Sequence, residues 1–348
     1  KDHHYKVCSI SNPNNWDTLP KGIIFIPKYL YVKDKKSKNF LTIEVDSKQN
    51  KSCVNDERVI TKAGTHFFEQ QFLDNHVKEI YSPSLNSEIS RDDFFAMIDQ
   101  SIDLIKNKNS KLDKIVLSRM KRYYFDFNCK KQSDFLMNAK KFFPNCITFL
   151  YDFQDRGIFF GISPETLFKT SNGKFYSEAL AGTFKSNVLS KELKKSKEID
   201  EHDFVIKYLT EIISSFSDKI YKSETKIINL GDISHFKTEL KSDLKDKISP
   251  FDLIYQLHPT PAVAGYPRDL SISKIKEIEA CPRGWYAGAL GWIAHNYKAH
   301  FIVGIRSGFA IDKKLYMYAG CGITKDSDKK MEYNESEMKF NSILSILN

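Results

Sequence analysis

No stretch of this sequence stays apolar for the roughly 20 residues that a membrane-spanning helix needs. The opening KDHHYK has no hydrophobic signal core. The six cysteines (Cys8, Cys53, Cys129, Cys146, Cys281 and Cys321) form no CxxC pair, and none stands near a histidine at zinc spacing. They are expected to be reduced thiols, mostly buried, in a cytoplasmic protein. A strand, GxGxxG, helix order is missing, and so is GxxxxGK followed by Ser or Thr, which removes the usual dinucleotide and P-loop readings. There is no internal repeat and no long Gly/Ser or Pro linker. Residues 1–348 are therefore expected to form a single domain, in which residues 1–90 carry the least information.

What is present is ordinary for a globular chain. Hydrophobic residues make up 41% and charged residues 28% of 348. A chain this long buries about three quarters of its unfolded surface, so it needs no staple. The net charge is +9, but the lysines are scattered. The denser runs, Lys33 to Lys38 and Lys191 to Lys197, are interrupted by acids, Ser and apolar residues. A nucleic-acid binder would gather them in a stripe with stacking aromatics. The runs read as solvated faces, and the excess charge suits steering of a small anion. No nucleic acid and no membrane is expected as a partner, and the default oligomeric state is a monomer.

Periodicity gives the elements. GIIFIP (22–27) and NFLTIEV (39–45) read as strands. Residues 91–107 repeat apolar side chains at helical spacing. LDKIVLSR (112–119) reads as a strand with Lys114, Val116 and Ser118 on one face and Ile115, Leu117 and Arg119 on the other. A short helix over 133–143 ends before Pro144. Strands follow over 146–152 and 157–162. Asn172-Gly173 between two alternating runs predicts a hairpin with a type I′ turn. A helix is expected over 190–216, strands over 285–294, 299–310 and 314–319, and a last helix over 329–347. Hairpins dominate and βαβ regularity is absent. The fold class is α+β, with large antiparallel sheets and helices packed outside.

Three groups of residues invite chemistry. Glu198, Glu201 and His202 share one helical face, and so do Glu332, Glu335 and Lys339. Such stripes are usually solvent faces, but two of them facing each other would offer oxygen ligands to a hard divalent cation. Gly-rich turns at AGT (181–183), RGWYAGALGW (283–292) and AGCGI (319–323) either permit tight bends or let backbone N–H groups approach an anion. His258, in LHPTP, is either a group that orients a ligand or a satisfied turn histidine.

The order of the pieces is more specific than any of them. KIVLSR, FFGISPETLF, SEALAGT, SKEIDEH, LHPTPAVAG, RGWYAG, VGIRSG, AGCGI and ExxExxxK follow one another as in the chorismate-binding family, which this sequence resembles from about Phe94 to its end. That family contains isochorismate, salicylate, anthranilate and aminodeoxychorismate synthases. The resemblance implies the fold of anthranilate synthase component I, a small-molecule substrate (chorismate) and a magnesium ion. It implies that Lys114 is the base that activates water and Glu165 the acid at the departing C4 hydroxyl. It implies that Glu201 and Glu335 are the main metal ligands, with Glu198 and Glu332 one turn away. Tyr286, Arg306 and Gly320 match the site for the side-chain carboxylate, Gly182 and Thr183 the turn beside the ring, His258 a histidine near it, and Lys339 a lysine near the carboxylates. Cys321 stands where Ala is common, and Tyr333 where Trp is. Lys114 together with EALAGT, rather than a PIAGT- or PIKGT-like segment, resembles the water-adding branch, which makes isochorismate for menaquinone or siderophore synthesis. A salicylate synthase, an ammonia-using relative and a silent scaffold are the alternatives.

Overall fold

The computed structural model describes residues 19, 21–24, 29–33, 40–44, 84–186, 197–231, 233–245, 248–294 and 297–347. The chain falls into two compact units, Pro20–Ile80 and the remainder. Within the first, β1 (Tyr29–Lys33) pairs antiparallel with β2 (Phe40–Glu44). The strand expected over 22–27 is not formed at residues 22–24, and its other residues lie outside the described ones.

The larger unit begins with β3 (Ser84–Glu88), α1 (Arg91–Lys106), β4 (Lys114–Tyr124) and α2 (Cys129–Phe142). Then come β5 (Ile147–Asp152), β6 (Ile158–Ser163), β7 (Thr166–Ser171), β8 (Lys174–Lys185) and α3 (Lys197–Phe216). Next are β9 (Ile220–Lys222), β10 (Lys226–Leu230), β11 (Ile233–Asp243), α4 (Pro250–Leu257), β12 (Gly265–Tyr266) and α5 (Arg268–Ile278). The chain closes with β13 (Ala289–Ile293), β14 (Ala299–Val303), β15 (Ser307–Ile311), β16 (Lys314–Ile323) and α6 (Lys329–Leu347).

These strands build two seven-stranded sheets. One runs β10-β11-β8-β7-β14-β13 with β9 beside β11; the other runs β12-β4-β16-β15-β6-β5 with β3 beside β4. The chain passes between the sheets twice over short links. Pro164-Glu165 joins β6 to β7, and Gly304-Ile305-Arg306 joins β14 to β15. The two links are tied together. Val303 N donates to Glu165 O (3.1 Å), Ser163 Oγ to Val303 O (2.6 Å), and Ile162 N to Arg306 O (3.0 Å).

Local sequence explains the elements. Asn172 and Gly173 both take positive φ, 51° and 74°, as the type I′ turn between β7 and β8 demands. Ser90 caps α1 by accepting from Asp93 N (3.1 Å). Ser249 caps α4, whose first residue is Pro250. In β16 the two-residue period splits the side chains. Leu315, Met317 and Ala319 pack with Phe340, Ile343 and Ile346 of α6, while Tyr316 and Tyr318 join a core with Phe159, Phe168 and Phe301. The faces expected for β4 are the observed ones: Ile115 and Leu117 pack with Phe94 and Ile98 of α1, and Arg119 Nε donates to Ser336 Oγ of α6 (2.8 Å).

Several expected boundaries moved: the helix expected over 133–143 begins at Cys129, and the strand expected over 314–319 runs on to Ile323. The run 299–310 is two strands in different sheets, because Arg306 adopts φ 50° and turns the chain across. The run 285–294 begins as a turn, with Gly284 at φ 55° and Ala287 at φ 63°, and becomes a strand only at Ala289. The start expected for α3 over 190–196 falls outside the described residues.

Candidate active site

Around the two links lies a cleft, about 610 Å³ of empty space with open solvent included. Its walls include Val116 of β4, Glu165 and Arg306 of the links, Gly182 and Thr183 of β8, Glu201 of α3 and His235 of β11. Tyr286, Gly320, Gly322 and Lys339 complete it. Eight residues singled out by sequence therefore meet here: Glu165, Gly182, Thr183, Glu201, Tyr286, Arg306, Gly320 and Lys339.

Lys114 lies just beneath this surface and is fully buried. Its Nζ is 3.0 Å from Glu201 Oε1, a buried ion pair. Burial lowers its pKa, Glu201 opposes that, and Lys197 and Lys339 add to it. Gly322 makes room for the pair: a Cβ there would strike the Glu201 carboxylate and approach Lys114 Cε within 2.9 Å.

Glu165 is 2% exposed. Burial raises its pKa, and the nearby Glu178 raises it further; Lys114, a hydrogen bond with Thr260 and Lys339 pull the other way. The balance is about 8, so the side chain holds a proton at neutral pH.

Arg306, Tyr286 and Lys339 form a cationic corner. Arg306 Nη1 donates to Ser342 Oγ (3.0 Å), and Nη2 meets His235 Nε2 at 3.0 Å. A guanidinium only donates, so Nε2 accepts and the His235 proton sits on Nδ1, 3.2 Å from Thr183 Oγ1. Burial first, then the Arg306 charge, keeps this imidazole neutral. Lys339 Nζ donates to Gly320 O and Glu335 Oε1, each at 2.6 Å. Tyr286 Oη lies so near Gly320 that a Cβ there would come within 2.8 Å. Behind this corner Arg283 donates to Val263 O and Val116 O, both at 2.7 Å, and pairs with Glu279.

Helices α3 and α6 bring three buried carboxylates together, each beside a lysine. Glu201 pairs with Lys114, Glu332 with Lys197, and Glu335 with Lys339. Lys197 feels all three, which raises its pKa against the desolvation that would lower it. Burial and the neighbouring Glu335 lift Glu332 to about 7 despite Lys197. Glu332 Oε2 is buried with no hydrogen-bond partner. No set of three His, Cys, Asp or Glu is already gathered for a metal among the described residues. The donor set nevertheless fits one: oxygen ligands, one of them unsatisfied, on two facing helices.

Five sequence-derived candidates do not line the cleft: Lys114, Glu332 and Glu335, and also Glu198 and His258. Glu198 is in the first turn of α3, where its carbonyl closes on Gly182 at φ 72°. His258 caps the end of α4, its Nδ1 buried without a partner and its pKa lowered by burial to about 4. The histidine on the wall is His235, which the sequence did not single out, nor Thr260 and Glu178; Lys197, expected at the end of a solvated run, is instead largely buried against Glu332. Two alternating runs flank Gly231-Asp232, a hairpin pattern that sets residue 235 opposite Ile228; its pairing with Thr183 comes from β11 lying beside β8, which that pattern does not announce.

None of the described helices is long and apolar enough to cross a membrane. The profile of the family described as "Chorismate binding enzyme" matches residues 8–348. Isochorismate synthase MenF of Bacillus subtilis is 28% identical over 350 residues, 96% of this chain and 71% of that protein. The salicylate biosynthesis isochorismate synthase of Pseudomonas aeruginosa is 32% identical over 198 residues, 54% of this chain and 42% of that one. Among solved structures, the 2,3-dihydroxybenzoate-specific isochorismate synthase DhbC from Bacillus anthracis superposes with a TM-score of 0.70 at 26% identity, over 78% of this chain and 76% of that one. Anthranilate synthase component I from Streptococcus pneumoniae shares the fold, with a TM-score of 0.76 over 91% of this chain and 72% of that one at 23% identity.

Proposed function

Since the chain belongs to the chorismate-binding enzyme family, we propose that it is a magnesium-dependent isochorismate synthase, which adds water at ring carbon C2 of chorismate and releases the C4 hydroxyl. The observation that carries this reading is the pairing of a lysine and a carboxylic acid of opposite tuning beside one cleft. Lys114 is pushed toward its neutral, basic form, and Glu165 toward its protonated, acidic form. Similarity to isochorismate synthases from several bacteria supports the same branch.

The chain's own groups divide the work. Arg306, Lys339 and Tyr286 receive the enolpyruvyl carboxylate; a guanidinium offers two parallel donors to it. Thr183 and the Gly182 turn lie beside the ring, and His235 fixes the Thr183 hydroxyl by donating to it. Lys114 takes a proton from the attacking water. Glu165 gives its proton to the C4 oxygen, because hydroxide is a poor leaving group. Glu201, Glu332 and Glu335 would hold the magnesium ion, with Glu198 close by through water. Bound there, magnesium supplies Lewis acidity toward the ring carboxylate and competes with Lys114 for the Glu201 charge.

The test is incubation with chorismate and magnesium, without ammonia, with products separated by chromatography and mass spectrometry. An isomer of unchanged mass in reversible balance with chorismate is the expected result. Salicylate with pyruvate would make the enzyme a salicylate synthase. No product until ammonia is added would move it to the amino-transferring branch. The product formed is the same for menaquinone and for siderophore synthesis.

A further inference from the structure

Glu165 must keep a proton although Lys339, and Lys114 whenever it is charged, favour the carboxylate form. Burial contributes to this, but the structure also supplies a second carboxylate. Glu178, within the SEALAGT segment on β8, is 7% exposed. It does not line the cleft. Tyr176 Oη donates to its Oε1 at 2.5 Å, and Lys237 Nζ of β11 to the same oxygen at 2.9 Å. Its Oε2 accepts from the backbone N of Thr166 at 3.4 Å. Thr166 follows Glu165, so Glu178 grips the link that carries the acid.

We infer that Glu178 is the positioning residue for the acid: its anionic carboxylate, fixed by Tyr176 and Lys237 behind the β6–β7 link, keeps the proton on Glu165. The inference rests on the proposed roles of Lys114 and Glu165. Like charges in a poorly solvated site cannot both be ionised cheaply. Of the pair, Glu178 has an ammonium and a phenol as donors, so it carries the charge and Glu165 carries the proton. The other charged or titratable groups around Glu178 are Glu239 on β11, which contacts Lys237, and His300 on β14, which senses the Glu178 charge. Burial holds His300 neutral down to about pH 4, so it does not titrate near neutrality.

The experiment is the pH dependence of kcat for chorismate conversion in Glu178→Gln and Glu178→Asp, with magnesium saturating. Gln keeps the shape and much of the hydrogen bonding but loses the charge; Asp keeps the charge but shortens the reach. The alkaline limb, where Glu165 loses its proton, is expected about one pH unit lower in Glu178→Gln and near wild type in Glu178→Asp. If Glu178→Gln does not fold with Lys237 left unpaired, the Glu178→Gln/Lys237→Gln double variant removes both charges and should show a smaller shift in the same downward direction, since Glu178 is the charge that acts on Glu165. An alkaline limb unmoved in the Gln variant, or moved more by Asp than by Gln, overturns the inference and leaves Glu178 a structural residue. A wild-type protein that does not convert chorismate would instead sink the functional reading.

Discussion

Lys114 and Arg306 bear on different stages of the reaction, and their variants should separate. If Lys114 is the base that activates water, Lys114→Ala should abolish isomer formation while chorismate still binds with near-normal affinity in calorimetry; full turnover would remove it as the base. Arg306 meets the His235 ring and is the proposed partner of the substrate carboxylate. Losing a charge-assisted bond costs ~1.5–3 kcal/mol, so Arg306→Ala should lower kcat/KM by roughly 10–100-fold. An unchanged value would place the carboxylate elsewhere. Gly322 is a harsher case. A methyl group there occupies the space of the Glu201 carboxylate, and the nearest atoms belong to the buried pair rather than to a flexible tip. Gly322→Ala should fold, since Gly322 is in β16 and has no special φ, yet lose most activity. Steady-state rates beside a melting curve would check this, and an active Gly322→Ala enzyme would show that Glu201 is free to move.

Elements decide which of these residues were legible. The hairpin at Asn172-Gly173, the two faces of β4 and the last helix follow from period and turn chemistry alone. The alternating run 299–310 misled, because alternation records burial on two faces and not which sheet provides them. The strand changes sheets at Arg306, whose positive φ no residue type announces. The same limit hid His235, whose hairpin lies far in sequence from the β8 segment it serves. Helices α3 and α6 were legible as acidic stripes, with Lys339 in one of them, but not the ion pair of Lys197 with Glu332. Those lysines imply a result at this scale. If Glu201, Glu332 and Glu335 hold the cation, Glu332→Gln removes a ligand charge and also leaves Lys197 without its partner. Magnesium titrated into the protein by calorimetry, without substrate, should then bind at least about tenfold more weakly. Affinity equal to wild type would take Glu332 out of the metal site.

Across the whole molecule, the cleft sits where the chain changes sheets, so both links carry polar side chains into a region that strands and helices otherwise keep dry. Groups buried there in their neutral forms couple folding to pH with opposite signs. Glu165 is raised from 4.5 to about 8. Its contribution is fully present below the unfolded value and is lost as pH rises through 8, since only the folded state then holds the proton. His258 and His300 are lowered from 6.5 to about 4. Their contributions are present above 6.5 and are lost as pH falls through 4, because the unfolded chain gains protons that the buried rings refuse. Between 4.5 and 6.5 two histidines outweigh one glutamate, so stability rises with pH; above 6.5 only the glutamate acts among these three, and stability falls. Melting temperatures measured in chelator, which removes any cation effect, should therefore rise from pH 4.5 to 6.5, and above 6.5 wild type should lose stability relative to Glu165→Gln. In Glu165→Gln the alkaline decline should flatten while the acid side stays. A decline in that variant as steep as in wild type would mean that Glu165 is not the neutral buried acid of this fold.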